Sequence, residues 1–326
     1  MDRYLEMKRQ LLKMASINHI PILGEFELTS FCNASCYMCY VAGRKKDFPS
    51  YLQWMALFEE AVKCGMLYAL LTGGEVFAHP DFCKIYEDLY DLGVKITVYT
   101  NGSLLSDAIL ETFKKRPPEM IAITLYGANN DTYKKITSSL TFDEVKDSIA
   151  ALQESHLPLQ IRTIPLREIY ETLDEVIAYA KSIELSLGYF LYVSKGSYDL
   201  NKRLNTTELI DFEKRIRSAF SKFEERKDFN TFVSCQALKN SFYINSKFEM
   251  RACSLAIYPS KKVEVGNFLR TFLELEEMWE ELDTDHCSSC NVVKSCIACK
   301  ARKMLETDKQ CSPYLLDIAK GRVQNE

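Results

Sequence analysis

The stretch MLYALLTGGE, residues 66–75, passes from an apolar run into a glycine pair and a single carboxylate. Residues 66–72 read as a buried strand, and Gly73-Gly74-Glu75 as the loop that leaves it. The same pattern recurs on both sides. Upstream, ILGEFELT (22–29) runs into FCNASCYMC (31–39); downstream, VKITVYT (94–100) runs into Asn101-Gly102, and MIAITLY (120–126) into Gly127. Two more apolar runs, 158–164 and 187–193, bring the strands to six, and amphipathic stretches such as 51–64, 104–115, 142–155 and 172–183 stand between strands. Six strand-helix units across residues 21–205 predict an α/β fold with a parallel sheet and right-handed crossovers. The segment is too short for eight units, so the expected architecture is a partial (β/α)6 TIM-like barrel. In such folds the loops at the C-terminal strand ends carry the chemistry. Four signals therefore converge on one rim: the cysteine loop, TGGE, TNG (100–102) and LYG (125–127).

The chain has 326 residues, 47% hydrophobic and 26% charged, with a formal net charge of −4. That balance offers no basic field for a phosphate backbone, and nucleic acid is not an expected partner. Residues 1–20 (MDRYLEMKRQLLKM and onward) alternate charged and apolar side chains at helical spacing. They predict an N-terminal helix, neither a signal peptide nor a membrane span, and a cytoplasmic protein. Twelve cysteines in such a chain are expected as thiols or metal ligands, because reducing compartments disfavour disulfides.

Their placement is uneven. Cys64 and Cys83 stand alone and read as ordinary helix packing. Cys32, Cys36 and Cys39 share one short loop. Three thiolates from one loop can hold three corners of a cubic four-iron cluster and leave the fourth iron open, whereas structural zinc wants four protein ligands. Seven others (Cys235, Cys253, Cys287, Cys290, Cys296, Cys299, Cys311) lie in the last third.

With C-x3-C-x2-C after the first strand and GGE after the second, the chain resembles the radical SAM superfamily. The resemblance implies a [4Fe-4S] cluster on Cys32, Cys36 and Cys39 whose open iron is chelated by S-adenosylmethionine, which one-electron reduction splits to a 5'-deoxyadenosyl radical. It also implies cofactor contacts from Gly73, Gly74, Glu75 and Asn101, with Met38 on the adenine, and with Thr124 and Arg162 toward the carboxylate.

The seven later cysteines resemble the SPASM extension, which binds two auxiliary clusters. By that resemblance Cys235, Cys253 and Cys299 hold the nearer cluster, with Ser241, water or substrate completing it, and Cys287, Cys290, Cys296 and Cys311 hold the farther one. Phe248 stands where the extension has a glycine. The implied division is an N-terminal helix (1–20), a radical SAM barrel (21–205), a bridging helix (206–234) capped by Asn205 or Thr206, and a SPASM domain (235–326).

SPASM proteins modify peptides, so the expected substrate is a ribosomally made peptide side chain, crosslinked, epimerised or oxidised. Formylglycine formation is disfavoured because Ser254, not aspartate, follows Cys253. Expected partners are an electron donor such as flavodoxin or ferredoxin and, with about twenty residues before the first strand, a separate leader-binding protein. Two alternatives remain: a small-molecule alcohol or sugar dehydrogenase on the same scaffold, and a non-catalytic metal-binding or electron-transfer module.

Overall fold

The computed structural model describes residues 2–39, 46–194, 202–220, 235–282, 287, 289–306 and 311–324. Strands β1 (Leu23–Glu27), β2 (Tyr68–Thr72), β3 (Lys95–Thr100), β4 (Met120–Thr124), β5 (Leu159–Thr163) and β6 (Leu187–Tyr189) pair in sequence order, all parallel. Each falls inside an apolar run expected from the sequence. Helix α1 (Asp2–Ile17) precedes them. Between strands lie α2 (Tyr51–Lys63), α3 (Phe82–Asp91), α4 (Asp107–Lys115), α5 (Asn130–Thr137), α6 (Phe142–Glu154), α7 (Arg167–Glu171) and α8 (Leu173–Ser182).

Capping fixes several helix starts. Ser50 with Gln53, Thr141 with Glu144, and Asn205 with Glu208 form reciprocal boxes at α2, α6 and α9 (Thr206–Ala219). Within the segment 206–234, expected as a bridging helix, α9 covers 206–219 and is capped by Asn205; residues 221–234 of that expectation lie outside the described residues.

Successive strand residues face opposite ways. One face of the sheet carries Phe26, Leu71, Val98 and Ile121, each fully buried and in register across four strands. Phe26 meets Trp54 and Phe58 of α2 edge-on, at 6.2 and 4.7 Å between ring centroids. The other face carries Glu25, Glu27, Thr72, Tyr99, Thr124 and Arg162. This second face lines the barrel interior.

The sheet does not stop at six strands. β7 (Ser241–Ile244) pairs parallel to β1, and β8 (Glu249–Arg251) and β9 (Ser260–Lys262) continue it antiparallel. The cysteine-rich region is therefore joined to the barrel by backbone hydrogen bonds, and its first strands are part of the same nine-stranded sheet. It ends with α10 (Phe268–Glu280), α11 (Lys300–Glu306) and α12 (Pro313–Val323). Phe248, in the β7–β8 turn, adopts a φ of 60°. That conformation favours glycine; here the ring lies 4.9 Å from Trp54, and this packing offsets part of the backbone cost.

Candidate active site

The loop after β1 meets the loop after β2 backbone to backbone. Gly74 N–H donates to Thr29 O at 2.7 Å and Glu75 N–H to Phe31 O at 2.8 Å. A Cβ on Gly74 would stand 2.4 Å from Phe31 O, and one on Gly73 2.8 Å from Thr29 O. The glycine pair thus lets the cysteine loop approach.

Glu75 is 1% exposed and its carboxylate is fully engaged. It accepts from Thr100 Oγ1 at 2.6 Å, Asn101 N at 2.7 Å and Phe77 N at 3.1 Å. Burial raises its pKa, and these three donors oppose the rise. Glu75 fastens the β2 loop to the β3 loop. Asn101, so held, reaches the cysteine loop: its Nδ2 lies 3.8 Å from Cys32 Sγ and 3.0 Å from Asn33 Oδ1.

From the other side α5 grips the same loop. Ser35 N–H donates to Thr137 O at 2.9 Å and Tyr37 N–H to Ile136 O at 3.2 Å, with Ser138 turning left-handed at φ 65° to end the helix. Tyr37 donates its hydroxyl to Glu168 Oε2 at 2.5 Å. Burial, and then the charges of Cys36, Cys39 and Cys32, push the Tyr126 phenol well above its ordinary range. Met38 is 8% exposed and belongs to the core.

Thr124 and Arg162 are register partners on β4 and β5. The Arg162 guanidinium lies 4.1 Å from the Tyr99 ring centroid, and its Nε donates to Gln160 Oε1 at 2.8 Å. It stands over an aromatic face on the interior side.

The later cysteines fall into two sets of electrostatic neighbours. Burial raises Cys253 to about 12 and raises Cys235, and Cys299 raises both further. Cys296 is raised by burial and then by Cys311, Cys287 and Cys290. Among the described residues no three His, Cys, Asp or Glu side chains are gathered into a closed metal-holding group; loading metal requires the raised thiols to give up their protons. Ser241 Oγ donates to Gln236 O at 3.1 Å. Cys64 and Cys83 pack, half-buried, against the core.

Sequence reasoning missed the interior acids. Glu27 is 8% exposed and accepts from Tyr243 at 2.6 Å and Ser246 at 3.2 Å. Glu25 is raised to about 7, by burial first and by Glu27 as well, against a hydrogen bond with Ser254. The alternation in GEFEL, charge every second residue, was the available signal for a polar inner face.

A family model described as the radical SAM superfamily matches residues 26–180, from β1 through most of α8. The chain carries a radical SAM superfamily domain over these residues. It is accordingly a radical SAM enzyme, with a [4Fe-4S] cluster and S-adenosylmethionine as cofactors.

Among curated proteins it is 24% identical over 219 residues to the AdoMet-dependent heme synthase of Methanosarcina barkeri, covering 66% of this chain and 62% of that protein. It is 23% identical over 277 residues to a probable GTP 3',8-cyclase of Sulfurisphaera tokodaii, covering 78% and 87%. Among solved structures, Streptococcus suis SuiB bound to precursor peptide SuiA aligns with a TM-score of 0.72 at 15% identity, over 94% of this chain and 78% of that one. The anSMEcpe structure with bound AdoMet aligns at 0.68 and 15%, over 93% and 92%. These two establish the shared fold, and the aligned region includes the cysteine-rich end.

The radical SAM site fits its cofactors chemically. Soft thiols on a loop clamped from two sides, with an amide N–H on one sulfur, suit an iron-sulfur cluster. The acid Glu25 has a measurable consequence. A carboxyl whose folded pKa is raised adds stability below the unfolded value of 4.5, and that stability is lost as pH rises through about 7. Glu25→Gln is therefore expected to be the more stable protein at pH 8, by at most about 3 kcal/mol, with the advantage vanishing toward pH 4. Denaturant unfolding of parent and variant across that range checks it; a pH-independent difference would count against a raised Glu25.

Proposed function

We propose that Cys32, Cys36 and Cys39 hold the cluster, that Thr124 and Arg162 face the carboxylate of S-adenosylmethionine, and that the enzyme acts on a peptide side chain. When bound, the two cofactors supply a 5'-deoxyadenosyl radical. The chain positions what the radical meets and keeps water from it. In this reading Cys235, Cys253 and Cys299 hold one auxiliary cluster, and Cys287, Cys290, Cys296 and Cys311 another, in a SPASM domain over 235–326.

The observation that carries the peptide assignment is this second region: a cysteine-rich segment whose first strands make one sheet with the barrel. The fold likeness over 94% of the chain is to SuiB, which was solved with a precursor peptide. Tyr243 and Ser246, both donating to Glu27, give the interior next to Cys253 a polar wall.

A small-molecule substrate is the second reading, supported by the heme synthase and GTP cyclase relatives.

The two are separated by substrate-stimulated turnover. Anaerobically reconstituted protein with dithionite and S-adenosylmethionine is given either GTP, or the peptide or small-metabolite fraction of a cell extract. 5'-Deoxyadenosine and substrate masses are then measured. The peptide fraction is expected to stimulate cleavage severalfold and to yield a mass-shifted peptide. Stimulation by GTP or by the small-metabolite fraction alone would establish the second reading.

A further inference from the structure

Asn101, Asn33 and Ser103 form a closed ring of hydrogen bonds beside Cys32. Asn101 Nδ2 donates to Asn33 Oδ1 at 3.0 Å, Asn33 Nδ2 to Ser103 Oγ at 2.8 Å, and Ser103 Oγ to Asn101 Oδ1 at 2.7 Å. Every member gives and receives in the same rotational sense, an arrangement in which each bond polarises the next. The Ser103 N–H also donates to Asn101 Oδ1, at 2.9 Å. A backbone N–H can only donate, so this bond fixes which end of the Asn101 amide is oxygen. The nitrogen must then face Asn33 and Cys32.

A side-chain amide has two N–H groups and two acceptor lone pairs. Asn101 uses all four on the chain: Ser103 N and Ser103 Oγ on the oxygen, Asn33 Oδ1 and Cys32 Sγ on the nitrogen. It is 8% exposed, and Glu75 holds its backbone N–H at 2.7 Å. Nothing of the amide is left over for a cofactor. Cys32 Sγ also receives the Ala34 N–H at 3.4 Å.

We propose that Asn101 is a positioning residue for Cys32, whose amide N–H on the sulfur raises the reduction potential of the cluster, with the Asn33–Ser103 ring and Glu75 holding it in place. This rests on the reading that Cys32 is a cluster ligand. N–H donors on a ligating sulfur favour the more negative, reduced state, which is one of the protein's levers on cluster potential. The TNG loop after β3 then acts on the metal side of the site, and Glu75 acts through it.

The test uses full-length, anaerobically reconstituted Asn101→Ala without S-adenosylmethionine. The potential is followed by the EPR signal that the Cys32/Cys36/Cys39 triple alanine variant lacks. The oxidised-to-reduced ratio at fixed potential is expected to rise about tenfold, equivalent to about 59 mV for one electron. Ser103→Ala should move it the same way by less, at unchanged iron content. An unchanged potential with full iron in Asn101→Ala overturns the proposal. If that variant cannot hold iron, unmutated protein labelled with 15N only in asparagine side chains decides the matter. A weak 15N coupling on the reduced cluster supports the proposal, and its absence overturns it. Unmutated protein that takes up no iron in this loop would instead refute the ligand reading of Cys32.

Discussion

Replacing Cys32, Cys36 and Cys39 together by alanine is expected to reduce 5'-deoxyadenosine formation to the protein-free background while leaving the later cysteines loaded. The loop's shape does not depend on sulfur. It is held by Gly74 and Glu75 N–H on Thr29 and Phe31 carbonyls, and by Ser35 and Tyr37 N–H on the end of α5. Three cysteine-to-alanine changes remove little volume and leave those bonds intact, so the variant should fold. Cys235, Cys253 and Cys299, and the set around Cys296, are built on other segments and influence one another rather than the loop cysteines. Iron should therefore fall from about twelve to about eight atoms per chain if three cubic clusters are present. Cleavage that persists in the triple variant would refute the assignment, and loss of all iron would show that the two regions load as one unit.

The barrel was legible because parallel strands covered on both faces read as continuous apolar runs. All six runs contain the strands they predicted. The short helices α5 and α7 escaped for the opposite reason. Asn130–Thr137 is polar through most of its length and shows its start mainly in the Asn129 cap, which accepts from Thr132. β7 to β9 are three or four residues each, and β7 is fixed by pairing with β1 more than two hundred residues away. No local pattern encodes that pairing.

The rim motifs were legible as positions, and the structure adds the contacts they make with one another. Sequence placed Gly73, Gly74, Glu75 and Asn101 at strand exits and assigned them to the cofactor by resemblance. In the structure the glycines clear space for the cysteine loop, and Glu75 and Asn101 spend their hydrogen-bonding capacity on the chain. A motif spacing tells which loops meet; which atoms satisfy a buried carboxylate depends on the loops facing it. Cys235 and Cys253 were singled out by resemblance, but Glu25, hydrogen-bonded to Ser254 and far from it in sequence, was not.

Glu306→Leu is expected to destabilise the protein by about 3–5 kcal/mol, the cost of leaving a buried charge without its partner. Glu306 ends α11 and is bound by Arg203 through two nitrogens, at 2.7 and 3.0 Å, with both side chains at most 6% exposed. Tyr192 donates to the same carboxylate at 2.7 Å, and Arg203 also donates to Val193 O. The Arg203 guanidinium lies 4.7 Å from the Tyr314 ring. One ion pair thus joins the segment after β6 and the approach to α9 to the helix that begins one residue beyond Cys299. Removing the carboxylate leaves Arg203 buried among aromatic rings without an anion, and α11 can relieve that only by moving away. Because Arg302 N–H reaches Cys299 Sγ at 3.5 Å, that movement disturbs the cysteine it follows. Iron bound by the cysteine-rich region should fall along with stability. The double variant Arg203→Met, Glu306→Leu should recover most of the stability, since apolar side chains of similar volume replace buried pairs at little cost. Denaturant unfolding and iron analysis of single and double variants check both steps. A single variant as stable as the parent, with its iron complete, would mean that the C-terminal cysteines are held by the sheet and by the Arg322–Glu213 pair, bonded at 2.7 Å, without help from this one.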